Sequence, residues 1–116
     1  MTESILTSIK KLLGLTEADT SFDTDIIIHI NSVFATLKQL GVGPTKGFRI
    51  ADAKAKWNEF ATDEEFIDSV KTYIYLKVKL VFDPPLNSGI MEAYKQEIKE
   101  IEWRLNVDKD TNVETQ

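Results

Sequence analysis

Residues 70–85, with the sequence VKTYIYLKVKLVFDPP, constrain the fold of this chain more than any other stretch. If they form a helix, successive side chains are about 100° apart and the apolar ones point in several directions. Val70, Tyr73, Ile74, Val78 and Val81 share one side, Tyr75 and Phe82 lie on one flank, and Leu76 and Leu80 lie on another. A helix that is apolar nearly all round must be covered nearly all round. Because so short a chain has few other elements, we expect another copy or a partner to cover part of this helix.

Length and composition are those of one globular domain: 116 residues, 42% hydrophobic and 28% charged. The net charge of −5 argues against a DNA-coating surface, which needs clustered Lys and Arg, although an acidic wall lets DNA slide past. The chain has no cysteine, which excludes disulfides, thiolate catalysis and cysteine-rich zinc sites. No apolar run reaches the ~18 residues of a membrane span, and we expect no signal peptide and no membrane partner.

The spacing of apolar residues predicts an all-α fold, a small four-helix bundle-like domain. The helices are predicted at residues 4–13, 23–40, 63–82 and 88–105. Gly14 and Gly41 are expected to end the first two helices, since Gly adopts positive φ freely. Asp23 and Thr62 are the predicted N-caps of the second and third helices, and Asn87 or Ser88 begins the fourth.

The rest of the chain is predicted to be less regular. Residues 41–61 form an irregular connection, in which Trp57 and Phe60 lie on a helical turn or two and pin the segment to the core. We assign residues 1–106 to one helical domain. Residues 107–116 are polar and are predicted to be a flexible, disordered C-terminal tail.

Catalytic and metal chemistry find little support in the sequence, and we expect no enzymatic activity and no cofactor. His29 is the only histidine, and the sequence indicates no nucleophile or second acid that would pair with it. We therefore interpret it as a boundary or interface residue. The acids Asp19, Asp23 and Asp25 lack the Gly and the Glu that a calcium loop requires. The glycines around Lys46 resemble a phosphate-binding loop, but Lys46 has no Gly directly before it and no Ser or Thr directly after it, and the segment follows a predicted helix instead of a strand.

Six residues are candidates for a protein interface: Tyr75, Leu76, Phe82, Trp103, Lys99 and Arg49. Trp103 lies nearly opposite the apolar stripe of the fourth helix. Two interpretations stay open for it: a surface tryptophan with Lys99 packed over it, or an interface anchor, since Trp is enriched at binding hot spots. For Tyr75, Leu76 and Phe82 the alternative is burial against the first helix and residues 41–61.

Several motifs in order resemble one family. IKKLLGL is followed by SFDTDIIIHINS, LGVGP, an aromatic W-x-x-F, VKTYIYLKVKLVFDPP and an acidic helix that ends in IEWRLNV. Together they resemble the head–tail connector (adaptor) proteins of tailed phages and prophages, over roughly residues 4–107. None of these motifs is catalytic, so the resemblance depends on their order and combination.

The resemblance implies a four-helix subunit that assembles, typically as twelve copies, into a ring beneath the portal protein. It implies that the ring extends the DNA channel without sequence-specific binding and offers a platform to a stopper or tail-completion protein. The expected location is the head–tail interface of the virion, and the bacterial host cytoplasm during assembly. The competing interpretation is a small helical regulatory or nucleic-acid-binding protein, which would need a basic recognition face.

Overall fold

The computed structural model describes the backbone of residues 3–114 and the side chains of residues 3–107. Five helices follow one another along the chain: α1 (Ile5–Leu12), α2 (Asp23–Gln39), α3 (Trp57–Phe60), α4 (Glu64–Phe82) and α5 (Ser88–Glu114). Within the described backbone there is no strand, only an isolated bridge between Ser4 and Lys56. The predicted all-α class and its four main helices are confirmed, and α3 is the short helical turn expected within residues 41–61.

Helix α4 is the centre of the domain, since α1, α2 and α5 all pack against it. Its side chains from Val70 to Val78 that face these helices are buried: Val70, Tyr73, Ile74, Leu76 and Val78. The expectation that another copy or a partner covers part of this helix is therefore wrong between Val70 and Val78, because three helices of the same chain pack against it. Near the C-terminal end, where Val81 is 63% exposed, cover by another copy or a partner stays a prediction.

The helix ends largely follow the predicted signals, with two corrections. Gly14 and Gly41 have φ values of 84° and 78° and directly follow the C-caps of α1 and α2. Asp23, however, is the first residue of α2 and not its N-cap. Its Oδ1 lies 2.9 Å from Nζ of the buried Lys10, so the carboxylate pairs with α1 and does not cap its own helix.

Helices α4 and α5 begin with side-chain caps. The N-cap of α4 is Asp63, one residue after the predicted Thr62, and its side chain accepts a hydrogen bond from the Glu65 backbone N–H. At α5, Oδ1 of Asn87 accepts hydrogen bonds from the backbone N–H groups of Gly89 and Ile90. Each cap satisfies backbone donors that a first helical turn leaves without a partner.

Residues 41–61 are irregular in backbone but firmly attached to the core. Their buried side chains are Val42, Ile50, Trp57 and Phe60. The Asn31 side chain accepts a hydrogen bond from Ile50 N–H (2.7 Å) and donates one to Ile50 C=O (2.9 Å). Trp57 Nε1 donates to Ser8 Oγ at 2.8 Å, joining this segment to α1. The predicted role of Trp57 and Phe60 is confirmed.

Helix α5 contacts α4 through a narrow stripe of Ile98, Ile101 and Leu105, all buried. Ile90, at the start of the predicted stripe, is 48% exposed. The backbone of α5 continues beyond the predicted end at Leu105 as far as Glu114. The predicted tail, residues 107–116, lies almost wholly outside the residues whose side chains are described. In the described part of the chain, no helix is both long and apolar enough to cross a membrane.

Candidate interface surfaces

The six predicted interface residues separate by exposure. Trp103 is 68% exposed, and Lys99 and Arg49 are exposed as well. Tyr75 and Phe82 are partly buried against the core. Leu76 is only 3% exposed, so its burial within one chain corrects its assignment to an interface. The helical spacing of apolar residues shows that a side chain is buried, but it does not show whether a helix of the same chain or a partner buries it.

Trp103 lies on the outward side of α5 and defines the first exposed surface, the Trp103 face. Trp103 comes two positions after Ile101, about 200° around the helix, and Ile101 is buried. Trp103 therefore points away from its own domain. Lys99, Glu100 and Arg104 line a shallow depression beside its ring.

A second exposed surface, the hairpin tip, lies where α4 ends and α5 begins. Phe82 packs edge-to-face on Phe22, with ring centroids 5.3 Å apart. Around this pair, Val81 and Ile90 are about half exposed or more, and Leu86 is fully exposed. Sequence reasoning missed Leu86 and Phe22. An apolar residue directly after two turn-forming prolines was the available signal for Leu86.

The third surface is an open groove of about 590 Å³ between α2 and residues 46–49, which we call the basic groove. Its residues are Ile28, Asn31, Ser32, Phe34, Ala35, Lys38, Lys46, Gly47, Phe48 and Arg49. Phe34 and Phe48 form an edge-to-face pair with centroids 5.1 Å apart, and Ile28 is 58% exposed. Lys38, Lys46 and Arg49 are its three cations, and no carboxylate is among the described residues that line it.

The basic groove was not foreseen because its parts are far apart in sequence. Two contacts join its two sides. Asn31 fixes Ile50 at its inner end through the two hydrogen bonds described above. A side chain at Gly47 would begin 3.0 Å from Cδ of Lys38, so the glycine lets the lysine stem lie against the loop.

Two tyrosines attach α5 to α4 behind the Trp103 face. Tyr73 O–H donates to Glu102 Oε2 at 2.7 Å, and burial followed by this hydrogen bond raises the pKa of Tyr73 well above its usual value. Burial, and after it the interaction with Tyr94, raises the pKa of Tyr75. Both phenols thus stay protonated at neutral pH, and Tyr73 acts as a structural donor.

The residues weighed for chemistry have structural surroundings. His29 is partly buried on α2, and Gly41 belongs to the turn that ends that helix. Asp19 accepts a hydrogen bond from Ser21 N–H, which lowers the pKa of Asp19. Among the described side chains, no three His, Cys, Asp or Glu residues are grouped so that they would hold a metal ion.

A compact helical domain with exposed apolar and aromatic surfaces is typical of proteins that assemble with others. Comparison with known families agrees: the profile described as "phage connector protein" matches residues 5–112, nearly the whole chain. The chain therefore belongs to the phage connector protein family, and the resemblance inferred from its motifs is confirmed. No curated protein and no solved structure matched it. Family membership indicates a structural connector role in a phage particle.

Proposed function

We propose that this protein is the subunit of a head–tail connector ring, placed beneath the portal protein in the virion. The ring extends the DNA channel and gives a stopper or tail-completion protein a platform. The observation that carries this proposal is the family match over residues 5–112, which spans all of α1 to α4 and most of α5. In this role the protein needs no catalytic group, and we propose that it is not an enzyme.

Ring formation would follow from the exposed surfaces described above. A head-to-tail contact between different surfaces of neighbouring subunits closes into a ring when the rotation between them divides a full turn. Many weak contacts with the portal would then act together, so the ring docks more tightly than any subunit alone. By resemblance to the family, we propose twelve copies, with residues 107–116 contacting the portal protein.

Native mass spectrometry of the purified chain, alone and mixed with the portal protein of the same phage, tests this proposal. The expected result is a complex that contains the portal ring and several copies of this chain. Twelve copies are expected if the subunits assemble as the resemblance to the family implies. A mixture that stays fully dissociated at high micromolar concentrations would contradict it.

The competing function, nucleic-acid binding, gains one supporting observation, the three cations of the basic groove. Three phosphate contacts give only weak, strongly salt-dependent binding. A gel-shift assay at physiological salt separates the two functions. The connector proposal expects no discrete shift with duplex DNA, whereas a tight, sequence-specific shift would favour the competitor.

A further inference from the structure

We propose that the buried ion pair between Lys10 and Asp23 is a conformational lock within this small domain. It holds residues 13–22, which we call the link between α1 and α2, and thereby places Phe22 on Phe82 at the hairpin tip. The lock fixes one shape of the hairpin tip and contributes little to global stability. It acts in the free subunit and does not depend on ring formation.

The ammonium group of Lys10 is buried in the domain. The residue is 2% exposed, and lysine is almost never this buried unless it is paired. Its Nζ lies 2.9 Å from Asp23 Oδ1 and donates a hydrogen bond to the Glu17 carbonyl oxygen at 3.1 Å. Asp23 Oδ1 is buried too and accepts no hydrogen bond from another described residue. Each charge of the pair therefore depends on the other for compensation.

The link has few other attachments to the domain. None of its side chains is buried, although Leu13 and Leu15 at its start pack partly against the core. The backbone N–H groups of Asp19 and Ser21 donate to acceptors within the link itself. Segments with few buried apolar contacts open locally at a low free-energy cost. Among the described contacts, the buried ammonium is therefore the main attachment of the second half of the link.

The ion pair also determines where Phe22 lies. Phe22 directly precedes Asp23, so a fixed carboxylate fixes the start of α2 and the ring beside it. That ring is 42% exposed and packs edge-to-face on Phe82. One exposed pair of rings contributes little on its own. The lock therefore gives the hairpin tip a preformed apolar surface, which lowers the entropy cost of binding a partner there.

A buried ion pair can select a conformation without stabilising the fold. The cost of removing both charges from water largely offsets their mutual attraction, so replacing such a pair by apolar residues is often neutral. Removing one partner is different, because it leaves the other charge buried alone. Any other arrangement of the link would bury the ammonium without its carboxylate, and the pair therefore favours the arrangement in the structure.

The double variant Lys10→Met with Asp23→Leu removes both charges and tests the lock. It should unfold in urea at nearly the wild-type midpoint. The nuclear Overhauser effect between the rings of Phe22 and Phe82 should be lost. Hydrogen exchange at the Asp19 amide should become about tenfold faster or more, because a charge-assisted attachment of the link is gone.

Asp23→Leu alone gives a second readout, because it leaves the ammonium of Lys10 buried without its carboxylate. This single variant should unfold at a clearly lower urea concentration than the double variant, so that Lys10→Met rescues it. If both side chains acted only through packing, their two losses would add. The control is Lys79→Met, which removes an exposed ion pair near the same tip and should keep wild-type stability, ring contact and exchange.

The outcomes decide between a lock and an ordinary stabilising pair. Loss of the ring contact at wild-type stability supports the lock. A double variant that keeps both the ring contact and the exchange rate would overturn it, as would one that unfolds as early as Asp23→Leu. If neither variant folds well enough to measure, Lys10→Gln with Asp23→Asn keeps neutral hydrogen-bonding groups at both positions. Its link should still exchange faster than in wild type, and unchanged exchange there would overturn the lock.

Discussion

Residues 41–61 are irregular in backbone but firmly attached to the core, whereas helix α5 is regular in backbone but buries few of its side chains. The segment 41–61 contains a single helical turn, yet Trp57 is 1% exposed and side-chain hydrogen bonds tie the segment to α1 and α2. Helix α5 is the longest regular element, yet among its side chains up to Val107, the last that the structure describes, only three are buried, and its tryptophan is exposed. Backbone regularity and tertiary attachment are therefore independent properties. We propose that the exposed side of α5 is the surface left for assembly.

The two tryptophans give the strongest way to break this comparison, and the largest effect on stability is expected at Trp57. Trp57→Ala should lower the free energy of unfolding by about 3–5 kcal/mol, because it leaves a cavity between α1 and α4 and removes the bond to Ser8. Urea unfolding followed by circular dichroism measures the loss. Asn58→Ala, at the exposed next position, is the control and should change little.

If Trp57→Ala does not fold, Trp57→Phe is the second variant to measure. It keeps an aromatic ring but removes the Nε1–H that donates a hydrogen bond to Ser8. Its expected loss is about 1–2 kcal/mol from the hydrogen bond and the smaller ring. Wild-type stability in either variant would mean that residues 41–61 are less firmly attached than described.

Asn31 tests the same attachment from the side of α2. Asn31→Ala should lower the free energy of unfolding by about 1–3 kcal/mol, since the N–H and C=O of the buried Ile50 lose their partner. Ser32→Ala, next to it and exposed, should stay within about 0.5 kcal/mol of wild type. Equal stability of the two variants would contradict the account.

Tyr73 tests the attachment of α5, with a smaller expected effect. Tyr73→Phe removes the hydrogen bond to Glu102 and should lower the free energy of unfolding by about 1–2 kcal/mol at neutral pH. The pKa of Tyr73 is higher in the folded state than in the unfolded chain, so above pH ~10 the unfolded chain loses the phenol proton first.

Stability that depends on Tyr73 is therefore present below pH ~10 and is lost as the pH rises further. The difference between wild type and Tyr73→Phe should shrink in that range when both are unfolded in urea at a series of pH values. A constant difference from pH 7 to 11 would show that folding does not raise the pKa of Tyr73.

The sequence predicts the local features of this fold well. The helices follow from apolar spacing and from residues such as Gly14, Gly41 and Asn87, whose effects act within one turn. The exposure of Trp103 follows from its position opposite a buried stripe on the same helix. In both cases the physical cause lies within a few residues of the feature.

Features that depend on distant residues were not predicted. The partner of Trp57 is Ser8, 49 residues away, and the partner of Ile50 is Asn31. The prediction that Leu76 belongs to an interface was wrong, because the spacing of apolar residues shows which face of a helix is buried but not which molecule buries it. The basic groove combines α2 with residues 46–49 and has no signature in either segment alone.

The central claim is that folding and assembly use separate surfaces of this small domain. The most direct measurement compares Trp57→Ala and Trp103→Ala in the same two assays, urea unfolding and native mass spectrometry with the portal protein. Trp103→Ala should unfold within about 0.5 kcal/mol of wild type and yet assemble much more weakly, whereas Trp57→Ala should be destabilised by about 3–5 kcal/mol. A Trp103→Ala variant that assembles normally, or that is destabilised as much as Trp57→Ala, would contradict the claim.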